Sequence, residues 1–327
     1  MTDDKPVRVG VVGVGNMGAH HARVYAELPD VELVGVADVD WDRAETVADD
    51  YGTRPLSQAA LLRAVDAVSV VVPTRYHADI ARDALKAGTH VLVEKPFVDD
   101  SRDGRDLVAL AADRDLRLQV GHIERFNPAV ETLQDIVAEM DVLAVDARRL
   151  GPPVDRGNTD SVVCDLMIHD LDVVQSLFDA DVADASASAV EDEPHVDATL
   201  TLDNGVLATV TASRVTHQKV RQLAVTGREC QVTVDYLTQS VEIHRQSLPE
   251  YVKHDGDVRY RSESVVERPQ VNSGEPLRRE LESFVDAFRN DRTPAVTGED
   301  GLRALELTRR IEAAVDQRPA AVTESQL

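Results

Sequence analysis

Val7-Arg-Val-Gly-Val-Val-Gly13-Val-Gly-Asn-Met-Gly18 is the stretch whose reading decides the fold. A β-rich run leads straight into Gly13, Gly15 and Gly18, and a helix-like stretch, Ala19 to Leu28, follows. A second β run, Val31 to Ala37, ends at Asp38, twenty residues past Gly18. A glycine triplet alone is weak, because glycines also serve plain turns. Between a strand and a helix it has a mechanism. Gly13 permits the tight turn, Gly15 lets backbone approach a pyrophosphate, and Gly18 allows close packing of helix on sheet. Asn16 and Met17 open the helix, whose N-terminus offers N–H groups and positive dipole to an anion. Asp38 is placed to accept from the ribose hydroxyls of an adenosine. Asp40 and Asp42 add negative charge and Arg43 is the only nearby cation, so NAD is expected rather than NADP.

Outward from this stretch, strand and helix alternate to residue 120. Helical runs are Asp42 to Asp50, a short one capped by Ser57, His77 to Ala87 with Gly88 closing it, and Ser101 to Asp113. Strands are Ala67 to Val72, Thr89 to Val93 and Leu116 to Val120. Such alternation predicts a parallel sheet with helices on both faces. After Gly121 the rhythm changes. Asn127-Pro128 reads as an N-cap and first helical residue, for a helix to about Met140. A strand from Val142 to Leu150, a loop from Gly151 to Asp160 and a helix from Ser161 to Phe178 follow. Alternating strands come next, at Ala183–Val190, Val196–Leu202, Val206–Thr216, Val220–Thr226 and Gln231–Tyr236, with Asn204-Gly205 as a hairpin turn. Residues 247–275 are polar and read as a long loop, before helices over 276–290 and 299–317. The expected class is α/β: a Rossmann domain over 1–121, and an α+β domain with an open, mainly antiparallel sheet over 122–327.

Composition limits the function. There are 59 acidic and 35 basic residues, a formal charge of −24. Such a surface repels phosphate backbones, which argues against nucleic acid as a partner. No apolar run approaches the roughly 20 residues of a membrane helix. Met1-Thr-Asp-Asp-Lys-Pro6 shows no apolar signal segment, and Cys164 and Cys230 are the only cysteines, so a reduced, cytoplasmic setting is expected. The acid is 38 Asp and 21 Glu, and the base is 30 Arg and only 5 Lys. Short carboxylates with few ammonium stems match a halophilic protein, for which molar salt screens self-repulsion. A GC-rich genome is the other source of scarce lysine.

Three further features carry chemistry. Glu94-Lys95-Pro96 directly follows the Val91-Leu-Val93 strand, and strand C-terminal ends are where an open α/β sheet presents its ligand crevice. A lysine there can bond a substrate hydroxyl; the alternative is a solvent-facing lysine in a turn. Asp165 and His169 are spaced i, i+4, so a carboxylate stands one helical turn from an imidazole and can orient it as a general base. The plainer alternative is a surface Asp–His pair. Asp165, His169 and Asp172 also have helical metal-ligand spacing, but no His or Cys cluster supports them and no metal is expected. Finally, Glu124, Arg125 and Asn127 can serve hydroxyls, an acetamido group or a phosphate. Arg125 can equally pair with a carboxylate, and Asn127 fits a helix cap better.

Together, Gly13–Gly18, Val72-Pro-Thr-Arg-Tyr-His77, Ala87-Gly-Thr-His-Val-Leu-Val-Glu-Lys-Pro96, Gly121-His-Ile-Glu-Arg-Phe-Asn-Pro128 and Asp165-xxx-His169 resemble the glucose–fructose oxidoreductase, inositol dehydrogenase and MocA family (Gfo/Idh/MocA). The resemblance spans nearly the whole chain in the right order. It implies an oxidoreductase acting on a secondary alcohol of sugars, inositols or nucleotide sugars, with a C-terminal domain for substrate and oligomer contacts. By this resemblance Lys95, Asp165 and His169 match the catalytic lysine, aspartate and histidine. Pro73, Thr74, His77, Glu94 and Lys95 match positions on the nicotinamide side of the cofactor. Residues 121–130 are similar to members acting on UDP-N-acetylhexosamines, which implies C3 of UDP-N-acetylglucosamine as the reacting carbon. Inositol or a free aldose in the same chemistry, or a non-catalytic NAD-binding sensor, are the alternatives. One departure is Ser161-Val-Val-Cys164, where many members approach the aspartate through glycines. An exposed antiparallel sheet face needs covering, so a homodimer or homotetramer is expected.

Overall fold

The structure, a computed structural model, describes residues 5–153, 160–178, 180–190, 194–246, 250–254, 257–261 and 263–316. The chain divides into two units: Met1–Phe126 with Gly274–Glu306, and Asn127–Ser273 with Leu307–Leu327.

The first unit runs β1 (Val7–Val12), α1 (Asn16–Glu27), β2 (Val31–Ala37), α2 (Trp41–Asp50), α3 (Gln58–Leu62), β3 (Ala67–Val70), α4 (His77–Ala87), β4 (His90–Glu94), α5 (Ser101–Asp113) and β5 (Leu118–Gly121). Its strands form one parallel sheet in the order β2-β1-β3-β4-β5. The strand order reverses beside β1, which makes the carboxyl ends of β1 and β3 a topological switch point, the place where such sheets bind ligands. Val9, Val11, Val68, Val70, Val91 and Val93 are fully buried, because helices cover both sheet faces. The helix starts follow local chemistry. The Asp40 carboxylate accepts the Arg43 N–H at 3.2 Å to cap α2, and the Asp100 carboxylate accepts the Arg102 N–H at 2.8 Å to cap α5. Gly88 closes α4 in the left-handed region at φ 85°.

The second unit begins with α6 (Pro128–Val137) and β6 (Val142–Leu150). A π-helical turn over Val163–Met167 then runs into α7 (Ile168–Phe178). The strands β7 (Val182–Ala189), β8 (His195–Leu202), β9 (Leu207–Ser213), β10 (Val220–Gly227), β11 (Cys230–Asp235), β12 (Ser240–Gln246), β13 (Glu250–His254), β14 (Asp257–Arg261) and β15 (Ser264–Glu267) follow. Seven of them join β6 in an eight-stranded sheet of order β15-β12-β11-β10-β6-β9-β8-β7, antiparallel at every pairing but β6 with β9. Val196, Ala198, Leu200 and Leu202 of β8 point into the core, as their alternation predicts. Asn204-Gly205 forms the β8–β9 turn, with Gly205 at φ 88°. Cys164 and Cys230 form no disulfide. The last helices are α8 (Pro276–Arg289) and α9 (Gly298–Asp316).

Three expectations need correction. The division expected at residue 121 falls at Phe126/Asn127, and Gly274–Glu306 returns to the first unit. The cause is the apolar face of α8: Leu277, Leu281, Phe284 and Val285 join the core formed with Val24, Tyr25 and Leu28. Burying each such side chain is worth roughly 1.5–3 kcal/mol, enough to fix the helix there. The segment after α8 also reaches β5, where the Val120 N–H donates to the Val296 carbonyl at 3.1 Å. Second, the long loop expected over 247–275 contains the β13–β14 hairpin and β15, which pairs with β12. Residues 247–249, 255–256 and 262 of that stretch, and 154–159 of the loop expected over 151–160, lie outside the described residues, as do Met1–Asp4 and Gln317. Third, β12 itself was not expected.

Candidate functional site

In the first unit the glycine turn has the geometry its sequence demands. Gly13 sits at φ 87°, and a Cβ there would lie 2.4 Å from the Val71 carbonyl oxygen. A Cβ on Gly18 would lie 1.9 Å from the Gly13 carbonyl oxygen. Gly15 is different: a Cβ there would meet nothing within 4 Å. It faces open space at the start of α1. That helix has no side-chain N-cap and no acidic residue in its first turn. The orphan N–H groups at Asn16 and Met17 are therefore left for an anion.

A cavity of about 910 Å³ opens beside this turn, lined by Gly13, Gly15, Asp38, Trp41, Pro73 and Arg75 among others. Asp38 is anchored by backbone. Its carboxylate accepts the Val14 N–H at 2.8 Å and the Asp40 N–H at 2.9 Å, leaving lone pairs directed elsewhere. Arg43 is 3.6 Å from Asp38 and 3.0 Å from Asp40, so its charge is already engaged by two carboxylates. Arg75, stacked 4.7 Å over the Tyr76 ring, is a second cation at this cavity. It corrects the reading of Arg43 as the only one. An open glycine, uncapped helix N–H groups and an anchored aspartate on one cavity fit the phosphates and ribose of a dinucleotide.

Glu94 closes β4 and is buried, with Lys95 next in the chain. The Glu94 carboxylate accepts the Lys95 N–H at 3.1 Å and contacts His21 Nε2 at 3.1 Å. Burial alone would raise the Glu94 pKa, but the His21 bond, the His21 charge and Lys95 hold it below the usual carboxylate value. Gly121 packs closely against it: a Cβ there would lie 3.1 Å from the Glu94 Cα. His77 is buried, with Nδ1 2.9 Å from the Pro96 carbonyl and Nε2 2.7 Å from the Val72 carbonyl. Whichever nitrogen carries the proton, the ring is held between the segments that follow β3 and β4. Burial pushes its pKa down, against those contacts and the charge of Glu94. Thr74 opens a short 3₁₀ turn, Thr74–Tyr76, directly after Pro73.

Glu124 and Arg125 lie on another 3₁₀ turn, Ile123–Phe126. Arg125 is 3.5 Å from Asp300, and both are nearly buried. Burial works to raise the Asp300 pKa, but Arg125 leads the groups that hold it low. Arg125 thus makes the carboxylate pair that was weighed beside a substrate contact.

In the second unit Asn127 caps α6, accepting the Ala129 N–H at 3.2 Å and donating to the Tyr236 carbonyl at 3.2 Å. It is 3% exposed and makes the helix cap that was the better fit for it in the sequence. Asp165 lies in the π-helical turn, and His169 is the second residue of α7. The structure gives Asp165 a partner that sequence reasoning missed: Arg214 Nη2 donates to its Oδ2 at 2.6 Å. Arg214 follows β9 and also donates to the Asp160 carbonyl at 3.0 Å. Asp172 is buried on the same helix. His21 was missed as well, although its place three residues past Gly18, on the helix the motif opens, was a signal.

The parallel sheet, the glycine turn and the anchored Asp38 define a dinucleotide-binding protein of the Rossmann class. Residues 7–122 match the NAD-binding Rossmann fold of the Gfo/Idh/MocA oxidoreductase family, and residues 147–322 match its C-terminal alpha/beta domain. The chain belongs to that family. It is 34% identical to UDP-N-acetylglucosamine 3-dehydrogenase of Acidithiobacillus ferrooxidans, over 95% of this chain and 97% of that one. The solved structure of that protein superposes with a TM-score of 0.87 at 33% identity, covering 95% of this chain and 99% of that one. Inositol 2-dehydrogenase of Rhizobium meliloti is 27% identical over 92% of this chain and 94% of its own length. Scyllo-inositol dehydrogenase of Lactobacillus casei shares the fold, with a TM-score of 0.80 at 19% identity, over 97% of each chain. Among the described residues, no helix is long and apolar enough to cross a membrane.

Proposed function

We propose that this protein is an NAD-dependent sugar dehydrogenase that oxidises the C3 hydroxyl of UDP-N-acetylglucosamine or a closely related nucleotide sugar. The observation that carries the reading is 34% identity, over 95% of the chain, to a UDP-N-acetylglucosamine 3-dehydrogenase, with Lys95, Asp165 and His169 all present. When bound, NAD supplies the acceptor for the hydride that leaves the ring carbon. Gly13, Gly15 and Gly18, with the N–H groups of Asn16 and Met17, hold its phosphates, and Asp38 its adenosine ribose. Pro73, Thr74, His77 and Glu94 serve its nicotinamide side, His77 and Glu94 by holding backbone in place. Lys95 bonds the reacting oxygen. His169 takes the hydroxyl proton, and Asp165 orients the imidazole; such proton transfer is worth about 10²–10⁴-fold. Glu124, Arg125 and Asn127 are the residues assigned to the substrate side of the same reading.

NAD is favoured over NADP because a 2′-phosphate would approach Asp38 and Asp40 while Arg43 is engaged by both. The same reading expects a homodimer or homotetramer, and a cytoplasmic protein adapted to molar salt. A substrate panel in high KCl tests the function: UDP-N-acetylglucosamine, inositols and free aldoses with NAD or NADP. The reading predicts NADH only with the nucleotide sugar. Turnover of inositol or a free aldose, with none of the nucleotide sugar, would refute the substrate. Bound NAD with no turnover on any of them would favour a sensor.

A further inference from the structure

The second unit holds a buried ion pair that the proposed chemistry does not use. Arg149, near the end of β6, is 4% exposed, and Asp170 of α7 is 1% exposed. Arg149 Nε donates to Asp170 Oδ2 at 2.6 Å, and Nη2 donates to Oδ1 at 3.0 Å. The planar fork thus meets both carboxylate oxygens, which fixes direction as well as distance. The guanidinium also stands over the Tyr236 ring, 5.4 Å from its centre. Asp170 directly follows His169, which is half-buried. Successive helical residues point about 100° apart, so whatever fixes Asp170 against β6 also sets the angle at which His169 leaves α7.

A second arginine holds the other end of the same stretch. Arg214 donates to Asp165 in the π-helical turn at 2.6 Å. β6 and β9 are parallel neighbours with Leu150 opposite Ser213, so Arg149 and Arg214 leave the sheet at the same end. The segment from Asp165 to Asp170 is therefore gripped at both ends from two adjacent strands. The two grips differ in strength. Arg214 is partly exposed and bonds one carboxylate oxygen, whereas Arg149 is buried and bonds two.

We propose that Arg149 and Asp170 are positioning residues that aim the His169 imidazole, by fixing the rotation of α7 against the sheet. The inference rests on His169 as the general base. A buried ion pair gains little stability over apolar side chains of the same volume, which would pack α7 on β6 as well but leave it free to turn and slide. What the fork adds is one angle and one distance, and proton transfer depends on both.

The test approaches the bond from each side, with Arg149→Lys and Asp170→Asn in the full-length protein, NAD and UDP-N-acetylglucosamine. Lysine keeps the charge without the fork, and asparagine keeps the shape but turns one acceptor into a donor. Each should lower kcat by up to about 10²-fold, the loss expected of a base displaced by about 1 Å, with KM little changed. Each is then combined with His169→Ala. If the pair acts through His169, neither substitution should slow the residual turnover of His169→Ala any further. Wild-type kcat in both single variants overturns the proposal. So does a loss of the same size with and without His169, which means general damage to the fold, or a rise in KM that carries the whole effect, which means contact with substrate. If one variant does not fold, the other decides; if neither folds, the pair is a requirement of the fold and the proposal falls. His169→Ala alone separates the two levels. Wild-type turnover there sinks the general base and the inference with it, whereas a slow His169→Ala beside unaltered Arg149→Lys and Asp170→Asn sinks only the inference.

Discussion

The two groups of proposed catalytic residues are built in opposite ways. Glu94 and Lys95 are neighbours at the end of a buried strand, and the Lys95 amide bonds the very carboxylate that precedes it. Asp165 and His169 span the junction of a π-helical turn with α7, and the Asp165 partner Arg214 comes from 49 residues further on. The first arrangement is local, with Glu94 buried at the strand end and Lys95 partly exposed beside it. The second depends on a long-range ion pair whose side chains are 24% and 29% exposed. A single-turn π-helix often marks a functional position, because it re-aims side chains at a cost in backbone bonding. The contrast teaches that one residue can be singled out as a candidate by its place at a strand end, while another takes its setting from a partner that spacing does not reveal.

The sharpest way to break the comparison is at Lys95. Lys95→Met should lower kcat by about 10²–10⁴-fold, with NAD affinity by calorimetry nearly unchanged. An equal loss in NAD binding would mean that Lys95 serves the cofactor instead. Next in size is the glycine turn. Gly18→Ala would set a Cβ 1.9 Å from the Gly13 carbonyl. Overpacking of this kind costs roughly 1–3 kcal/mol, about 2–4 °C of melting temperature per kcal/mol in a domain of this size. A melting curve superposing on wild type would contradict that geometry. Arg214→Gln sharpens the other side. A partly exposed ion pair is worth at most about 1 kcal/mol, so kcat should fall roughly 5-fold or less. A far larger loss would make Arg214 a direct participant.

The smallest effect is on stability against pH. Glu94 and Asp300 are held below their ordinary values, and His77 is pushed below its ordinary 6.5. Each binds protons more readily in the unfolded chain, so stability should rise with pH. For the carboxylates it is present above their ordinary values and is lost on further acidification. For His77 it is complete above about 6.5 and is lost as pH falls toward its lowered folded value. A melting temperature that drops as pH rises toward that value would reverse the sign.

Much of the fold was legible because the signals were local. Gly13 to Gly18 with Asp38, the Asn127-Pro128 cap and the Asn204-Gly205 turn each specify their own backbone, and each appears where it was read. The return of α8 to the first unit was not legible, since Leu277, Leu281 and Phe284 announce a buried face without naming what buries it. The strands over 250–267 were hidden by polar composition; β15 is exposed along its whole length and shows no alternation. Within the candidate site, the residue types were visible and their partners were not. Arg125 with Asp300, Asp165 with Arg214 and His21 with Glu94 are all pairs distant in sequence.

The most direct measurement uses UDP-N-acetylglucosamine deuterated at C3, with NAD, and mass spectrometry of the dinucleotide after reaction. The account predicts reduced NAD carrying one deuterium, and none in the Lys95→Met protein. Reduced NAD without the label, or NAD that binds and stays oxidised while the sugar is unchanged, would contradict it.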